Sequence, residues 1–132
     1  PSLAVAALGA GPDRLLSDLN TLGFLFESLC VRDLRVYAEA VGGNVYHYRD
    51  SSGLKIDCIV ETPAGNWAAF EVKLGGAKHI DEAAKNLKKL AEKVSEARRE
   101  RLRSLNVLTA GSISKPRPDG VNVLSLGHLT VS

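Results

Sequence analysis

"KIDCIVETPAGNWAAFEVK", residues 55–73, is two alternating apolar runs joined by a Pro/Gly/Asn turn. Runs of this length, rich in Ile, Val, Trp and Phe around such a turn, read as an antiparallel β-hairpin. Asp57 interrupts the first run, and Glu71 and Lys73 interrupt the second. If the turn pairs Glu61 with Trp67, Asp57 falls opposite Glu71 and Lys55 opposite Lys73. Strand side chains alternate, so Glu71 and Lys73 share a face. The other face, Ile56, Cys58, Val60, Ala68, Phe70 and Val72, is uniformly apolar. The expectation is a half-buried hairpin with one apolar face and one face carrying a carboxylate pair beside a lysine; a one-residue slip would mix the two faces. Directly opposed side chains have Cβ atoms about 4.5–5.5 Å apart, and like charges at that range repel unless a cation lies between them or one is protonated. A hard divalent cation, Mg²⁺ (or Mn²⁺), suits two carboxylates completed by water and phosphate oxygens.

Upstream, residues 18–41, "DLNTLGFLFESLCVRDLRVYAEAV", read as a long helix capped by Asp18 or Asn20 and ended by "GGN". Its apolar stripe is expected at Leu19, Leu22, Phe26, Leu29, Tyr37 and Val41. Glu27 is bracketed by Phe24, Leu25, Phe26 and Leu29 and shares a face with Gly23, Cys30 and Leu34. Two readings stand for it: the carboxylate reaches solvent past its apolar neighbours, or it is held for a cation or a hydrogen-bonded partner.

"VYHYR" alternates as a short strand, "DSSG" is turn chemistry, and "KIDCIVE" and "WAAFEVK" supply two more strands. "GGAKH" leads into a second long helix, expected over residues 79–104, with the stripe Ile80, Ala84, Leu87, Ala91 and Val94. "NVLTAGSI" and "VNVLSLGHL" read as further strands around the "KPRPDG" loop. The order αβββαββ predicts an α/β sandwich with a mixed central sheet flanked by two long helices.

At 132 residues, 45% apolar and 24% charged, the chain is expected to form a single domain, 1–132. A net charge of +2 argues for neither nucleic acid nor membrane, so any basic footprint must come from distribution along the chain. Cys30 and Cys58 lack CxxC spacing and are too few for a disulfide framework, which fits the cytoplasm. "PSLAVAALGAG" has no basic lead and is too short to span a bilayer, so it reads as neither signal nor anchor. The abrupt start at Pro1 predicts a fragment of a longer protein. No GxxxxGK[ST] occurs, so nucleotide chemistry is expected outside this chain. His47, His79 and His128 show no ligand spacing and read as surface or structural histidines.

Asp57 followed by "EVK" at Glu71–Lys73 resembles the signature of the PD-(D/E)xK phosphodiesterases, the core shared by restriction endonucleases and Holliday-junction resolvases. "SSGLKID" shows that the Pro-Asp dipeptide of the family name is absent here, as in many members. The resemblance extends to Glu27 as the additional acid on the preceding helix and to the αβββαβ order. It implies a restriction-endonuclease-like fold, with Asp57 and Glu71 as Mg²⁺ ligands, Glu27 supporting the same or a second metal, the Val72 carbonyl as a further ligand, and Lys73 acting on the attacking water. More narrowly, "DLNTLGFLFESLCVRDLRVYAEAVGGNVYHYRDSSGLKIDCIVE", "FEVKLGG" and "RPDGVNVLSLGHL" resemble the C-terminal domain of a family of prokaryotic AAA-type ATPases, a domain with no settled activity. This closer likeness implies an ATPase upstream of Pro1, with residues 1–17 as its lead-in and 18–132 as the core.

Lys73 has two readings. An unperturbed lysine, with a pKa of about 10.4, is a poor base; it needs a lowered pKa, or it positions the nucleophile and stabilises charge on phosphorus. The second helix carries Lys85, Lys88, Lys89, Lys93, Arg98, Arg99, Arg101 and Arg103 against Glu92, Glu96 and Glu100. This stripe reads either as a solvated helix face or as a phosphate-contacting surface, with Lys85, Lys88, Lys89, Lys93, Arg98 and Arg99 as the nucleic-acid contacts and Lys115 and Arg117 extending them. The function expected is metal-dependent phosphodiester hydrolysis in nucleic acid, chiefly DNA. The alternative is a catalytically silent version of the fold, serving as a DNA-binding module or docking on the ATPase. Residues 3–10 with Leu15 and Leu16 would then dock on the missing segment, or bring copies together as a homo-oligomer.

Overall fold

The computed structural model describes residues 19–110 and 115–125. The expected cap at Asp18, the apolar start at residues 3–10 with Leu15 and Leu16, and His128 lie outside the described residues. In chain order the elements are α1 (Leu19–Ala40), β1 (Asn44–Arg49), β2 (Lys55–Glu61), β3 (Trp67–Val72), α2 (Ala77–Lys93), α3 (Glu96–Arg101), β4 (Leu102–Thr109), β5 (Lys115–Pro116) and β6 (Val121–Ser125). They build a six-stranded sheet in the order β1-β2-β3-β4-β6-β5. β1, β2 and β3 are antiparallel neighbours, β4 runs parallel to both β3 and β6, and β5 closes the far edge antiparallel to β6. The mixed α/β architecture is therefore as expected.

The hairpin register is the predicted one: Glu61 pairs with Trp67, Val60 with Ala68, Ile59 with Ala69 and Cys58 with Phe70. Its turn closes through Thr62 N–H to Asn66 O at 2.8 Å and Gly65 N–H to Thr62 O at 2.9 Å. Gly65 takes φ +89°, a left-handed turn position that a side chain would strain. The two-faced hairpin, however, is corrected. Ile59, Trp67 and Ala69, on the face expected to be polar, are buried in the largest core with Ala83, Ala84, Leu87 and Leu90 of α2 and Leu105, Val107 and Val121. Cys58, Val60, Val72 and Leu108 face the opposite way, onto Phe26, Cys30 and Ala38 of α1. β2 and β3 are interior strands covered on both sides, and such strands run almost continuously apolar.

One irregularity sets the position of Asp57. Tyr46 pairs with Ile59 but Tyr48 with Ile56, so β2 carries one extra residue against β1. Ile56 and Ile59, three apart, both enter the α2-side core, which strict alternation forbids. A β-bulge accounts for this, because the inserted residue resets the phase and re-aims its neighbours. Lys55 and Asp57 then line the cleft against α1 rather than the core under α2.

The helices also differ in detail from expectation. The buried stripe of α1 is Phe26, Cys30 and Ala38, with Val31 and Leu34 partly buried. Leu29, Tyr37 and Val41, expected inside, are exposed. The second helix does not run to residue 104: α2 ends at Lys93, Val94 is extended, and Ser95 caps α3 by accepting from Arg98 N–H at 3.2 Å. Residues 102–105, expected as helix and loop, begin β4. Ser95 supplies a helix start that the strong helix formers around it disguise.

Candidate functional site

The ladder between β2 and β3 stops at the pair Cys58 and Phe70. One step further the side chains take over from the backbone. Asp57 N–H donates to Glu71 Oε1 at 2.8 Å, and Val72 N–H donates to Asp57 Oδ2 at 2.9 Å. Each carboxylate thus bonds the backbone of the opposite strand, and the two acids are locked across the gap. Glu71 is 3% exposed. Burial first, and the Asp57 charge second, push its pKa up to about 7, against the N–H bond from Asp57 and the Lys73 charge, which lower it.

Glu27 reaches the same place from α1. Its pKa is raised by burial and then by the neighbouring Asp57 carboxylate, while Lys55 and Lys73 oppose the rise. Lys73 follows directly after β3, its N–H held by Leu108 O at 2.9 Å. It lines a hollow of about 290 Å³ with Gly23, Glu27, Val72 and His79. The structure therefore gathers Asp57, Glu71, Glu27 and Lys73, drawn from three elements, at one end of the hairpin. Glu27 is half-buried, on the side of α1 that faces Asp57 across the cleft.

On the α1 side the site opens into a cleft of about 430 Å³ between α1, β1 and β2, with Glu27 and Asp57 in its lining. Phe24, Arg32, Arg35, Tyr46 and Lys55 also line it. Phe24, Arg32, Arg35 and Tyr46 are cleft residues that no sequence motif marks. Their signal is present in α1: Phe24, Ser28, Val31 and Arg35 follow Glu27's side of the helix at steps of three and four, where a core stripe would carry no arginine.

The basic stripe on the opposite side is partly committed to the fold. The Lys93 ammonium pairs with Asp50 at 2.7 Å and donates to Ser52 Oγ at 2.6 Å, fixing the "DSSG" turn. Arg98 pairs with Glu61 and lies over the Trp67 ring, 5.2 Å from its centroid, while Trp67 Nε1–H donates to Arg98 O at 2.7 Å. Arg99 donates to the carbonyls of Ala91, Glu92 and Val94, closing the end of α2. Lys88 donates to Asp119 O at 3.1 Å, and Arg117 pairs with Asp81 at 2.7 Å. Lys85 and Lys89 are exposed and make no hydrogen bond or ion pair among the described residues.

His47 and His79 are exposed. Cys30 and Cys58 are buried free thiols whose pKa values burial pushes up to about 12 and about 11, which makes them poor nucleophiles. Among the described residues no group of three or more His, Cys, Asp or Glu is arranged to hold a metal ion, and no helix is long and apolar enough to cross a membrane.

The family model described as "Domain of unknown function (DUF4143)" matches residues 22–129. The chain belongs to this family. The matched span contains Glu27, Asp57, Glu71 and Lys73 together with all but the first three residues of α1, the hairpin and α2, so the carboxylate cluster lies inside the family's domain. No curated protein and no solved structure matches the chain.

Proposed function

We propose that this domain is a metal-dependent phosphodiesterase acting on nucleic acid, chiefly DNA, on a restriction-endonuclease-like αβββαβ core, and that it is the C-terminal part of a cytoplasmic AAA-type ATPase. The observation that carries the reading is the crossed pair Asp57–Glu71 with Glu27 and Lys73 around it. A buried Glu71 beside two further acids is unfavourable as a bare cluster, and an all-oxygen donor set in which Glu71 and Glu27 both have raised pKa values fits a hard divalent cation. Asp57, Glu71 and the Val72 carbonyl would hold Mg²⁺ or Mn²⁺, with Glu27 completing the site or supporting a second ion. When bound, the ion supplies Lewis-acid polarisation of a phosphate oxygen and lowers the pKa of its water.

The chain's own residues do the rest. Lys73, beside Glu27 and Glu71, orients the attacking water and offsets the charge that builds on phosphorus as the new P–O bond forms and the ester P–O bond breaks. Arg32, Arg35 and Lys55 offer positive charge to the diester along the cleft. Exposed Lys85 and Lys89 on α2 add a second, salt-sensitive contact.

The purified domain and its Lys73→Ala variant, incubated with supercoiled, linear, single-stranded and branched DNA in Mg²⁺, Mn²⁺ or EDTA, provide the test. Metal-dependent nicking by the wild type and none by Lys73→Ala is expected. No nicking by the wild type, or equal nicking by the variant, overturns the hydrolytic reading. It would leave the second reading, a silent module that binds DNA or docks on the ATPase, which the lack of a three-ligand group among the described residues favours.

A further inference from the structure

The cleft between α1, β1 and β2 carries two aromatic side chains for which hydrolysis at Asp57 has no use. Phe24 on α1 and Tyr46 on β1 both line it and are 67% and 48% exposed. Arg32, Arg35 and Lys55 stand on the same walls, exposed, and make no hydrogen bond or ion pair among the described residues. Exposed aromatic rings and uncommitted cations in one concave site suit a strand whose bases are unstacked: the phosphates follow the cations and the bases stack on the rings. A duplex keeps its base faces against one another and cannot offer them to Phe24 or Tyr46. An acidic peptide would meet the cations but leave the rings bare.

We propose that this cleft binds a single-stranded polynucleotide, with bases on Phe24 and Tyr46 and phosphates at Arg32, Arg35 and Lys55. The path leads the strand to Asp57, and this last step rests on the hydrolytic reading above. DNA and RNA share the chemistry of phosphate and unstacked base, so both strands belong in the test.

The measurement is fluorescence anisotropy in EDTA with labelled oligo(dT), oligo(U) and a DNA duplex of equal length, with unlabelled heparin as competitor and thermal melts to verify folding. Either single strand should bind at least about fivefold tighter than duplex, and Phe24→Ala and Tyr46→Ala should each weaken that binding by about fivefold or more. Tyr46→Phe should retain it, because the ring face remains. Arg35→Ala should lower the slope of log affinity against log salt by roughly 0.7. Preference for oligo(dT) or oligo(U) identifies the source of the strand, and either supports the proposal. Equal binding of duplex, no binding of either strand, full competition by an equal charge of heparin, or wild-type affinity in both folded alanine variants overturns it. Because EDTA prevents cleavage, a negative nicking assay would remove the hydrolytic reading without touching this result, and the converse holds.

Discussion

Asp57 and Glu71 exchange places in the sheet: the Asp57 backbone N–H donates to Glu71 Oε1 at 2.8 Å, while the Asp57 carboxylate accepts from Val72 N–H, beside Glu71, at 2.9 Å. Two acids thereby replace one rung of an otherwise regular ladder, at the point where the bulge in β2 turns Asp57 toward α1. The arrangement holds them in register without any ion, and leaves a buried carboxyl whose charge is poorly compensated.

Glu71 therefore sets a pH dependence. Its pKa lies at about 7 in the fold against an ordinary 4.5. Below 4.5 it is protonated folded and unfolded alike and costs nothing. As pH rises through this window the unfolded chain loses the proton first, so stability falls, and above about 7 the whole penalty is present. At about 1.4 kcal/mol per pKa unit the penalty is on the order of 3 kcal/mol. Glu71→Gln keeps an oxygen for Asp57 N–H and cannot ionise. Denaturant melts from pH 4.5 to 8.5 should show the variant more stable than wild type at pH 8 and close to it at pH 4.5.

Gly43, between α1 and β1, is a packing constraint. A Cβ built there would meet the Glu61 carbonyl oxygen at 2.3 Å, and a backbone oxygen cannot swing away. Gly43→Ala should destabilise the domain by about 2 kcal/mol or more, read as a lower melting temperature. An unchanged melt would contradict the close approach of this turn to β2.

Arg98 is expected to matter to the fold and not to substrate. Arg98→Ala removes the Glu61 pair and the contact over Trp67. The loss should be about 1 kcal/mol, because both interactions lie at a half-open surface. DNA affinity of the folded variant should stay within twofold of wild type. By contrast, Lys85→Glu with Lys89→Glu should leave the melt unchanged and weaken DNA retention at low salt.

Much of this was legible from the chain. The hairpin register followed from the turn and from alternation, and the Asp57–Glu71 juxtaposition followed from the register. What the sequence concealed has physical causes. A bulge adds no composition signal, so strict alternation puts Asp57 on the wrong side of β2. Ala68 and Ala69 are small enough for either face, which hid that both faces of β3 are buried. No Gly or Pro interrupts Ala77 through Arg101, and Val94 with Ser95 marks the break only weakly. Arg98 and Arg99 read as a charged surface because their partners, Trp67, Glu61 and the end of α2, become neighbours only through tertiary structure.

The most direct test is calorimetric titration of Mn²⁺ into the domain at pH 8, for the wild type and for Asp57→Asn, with melts to confirm that both are folded. A site built on Asp57 and Glu71 predicts saturable binding by the wild type and at least a tenfold loss in the variant, since one of the few charged ligands is gone. Absence of binding by the wild type, or equal binding by a folded Asp57→Asn, would contradict the claim that this pair is a cation site.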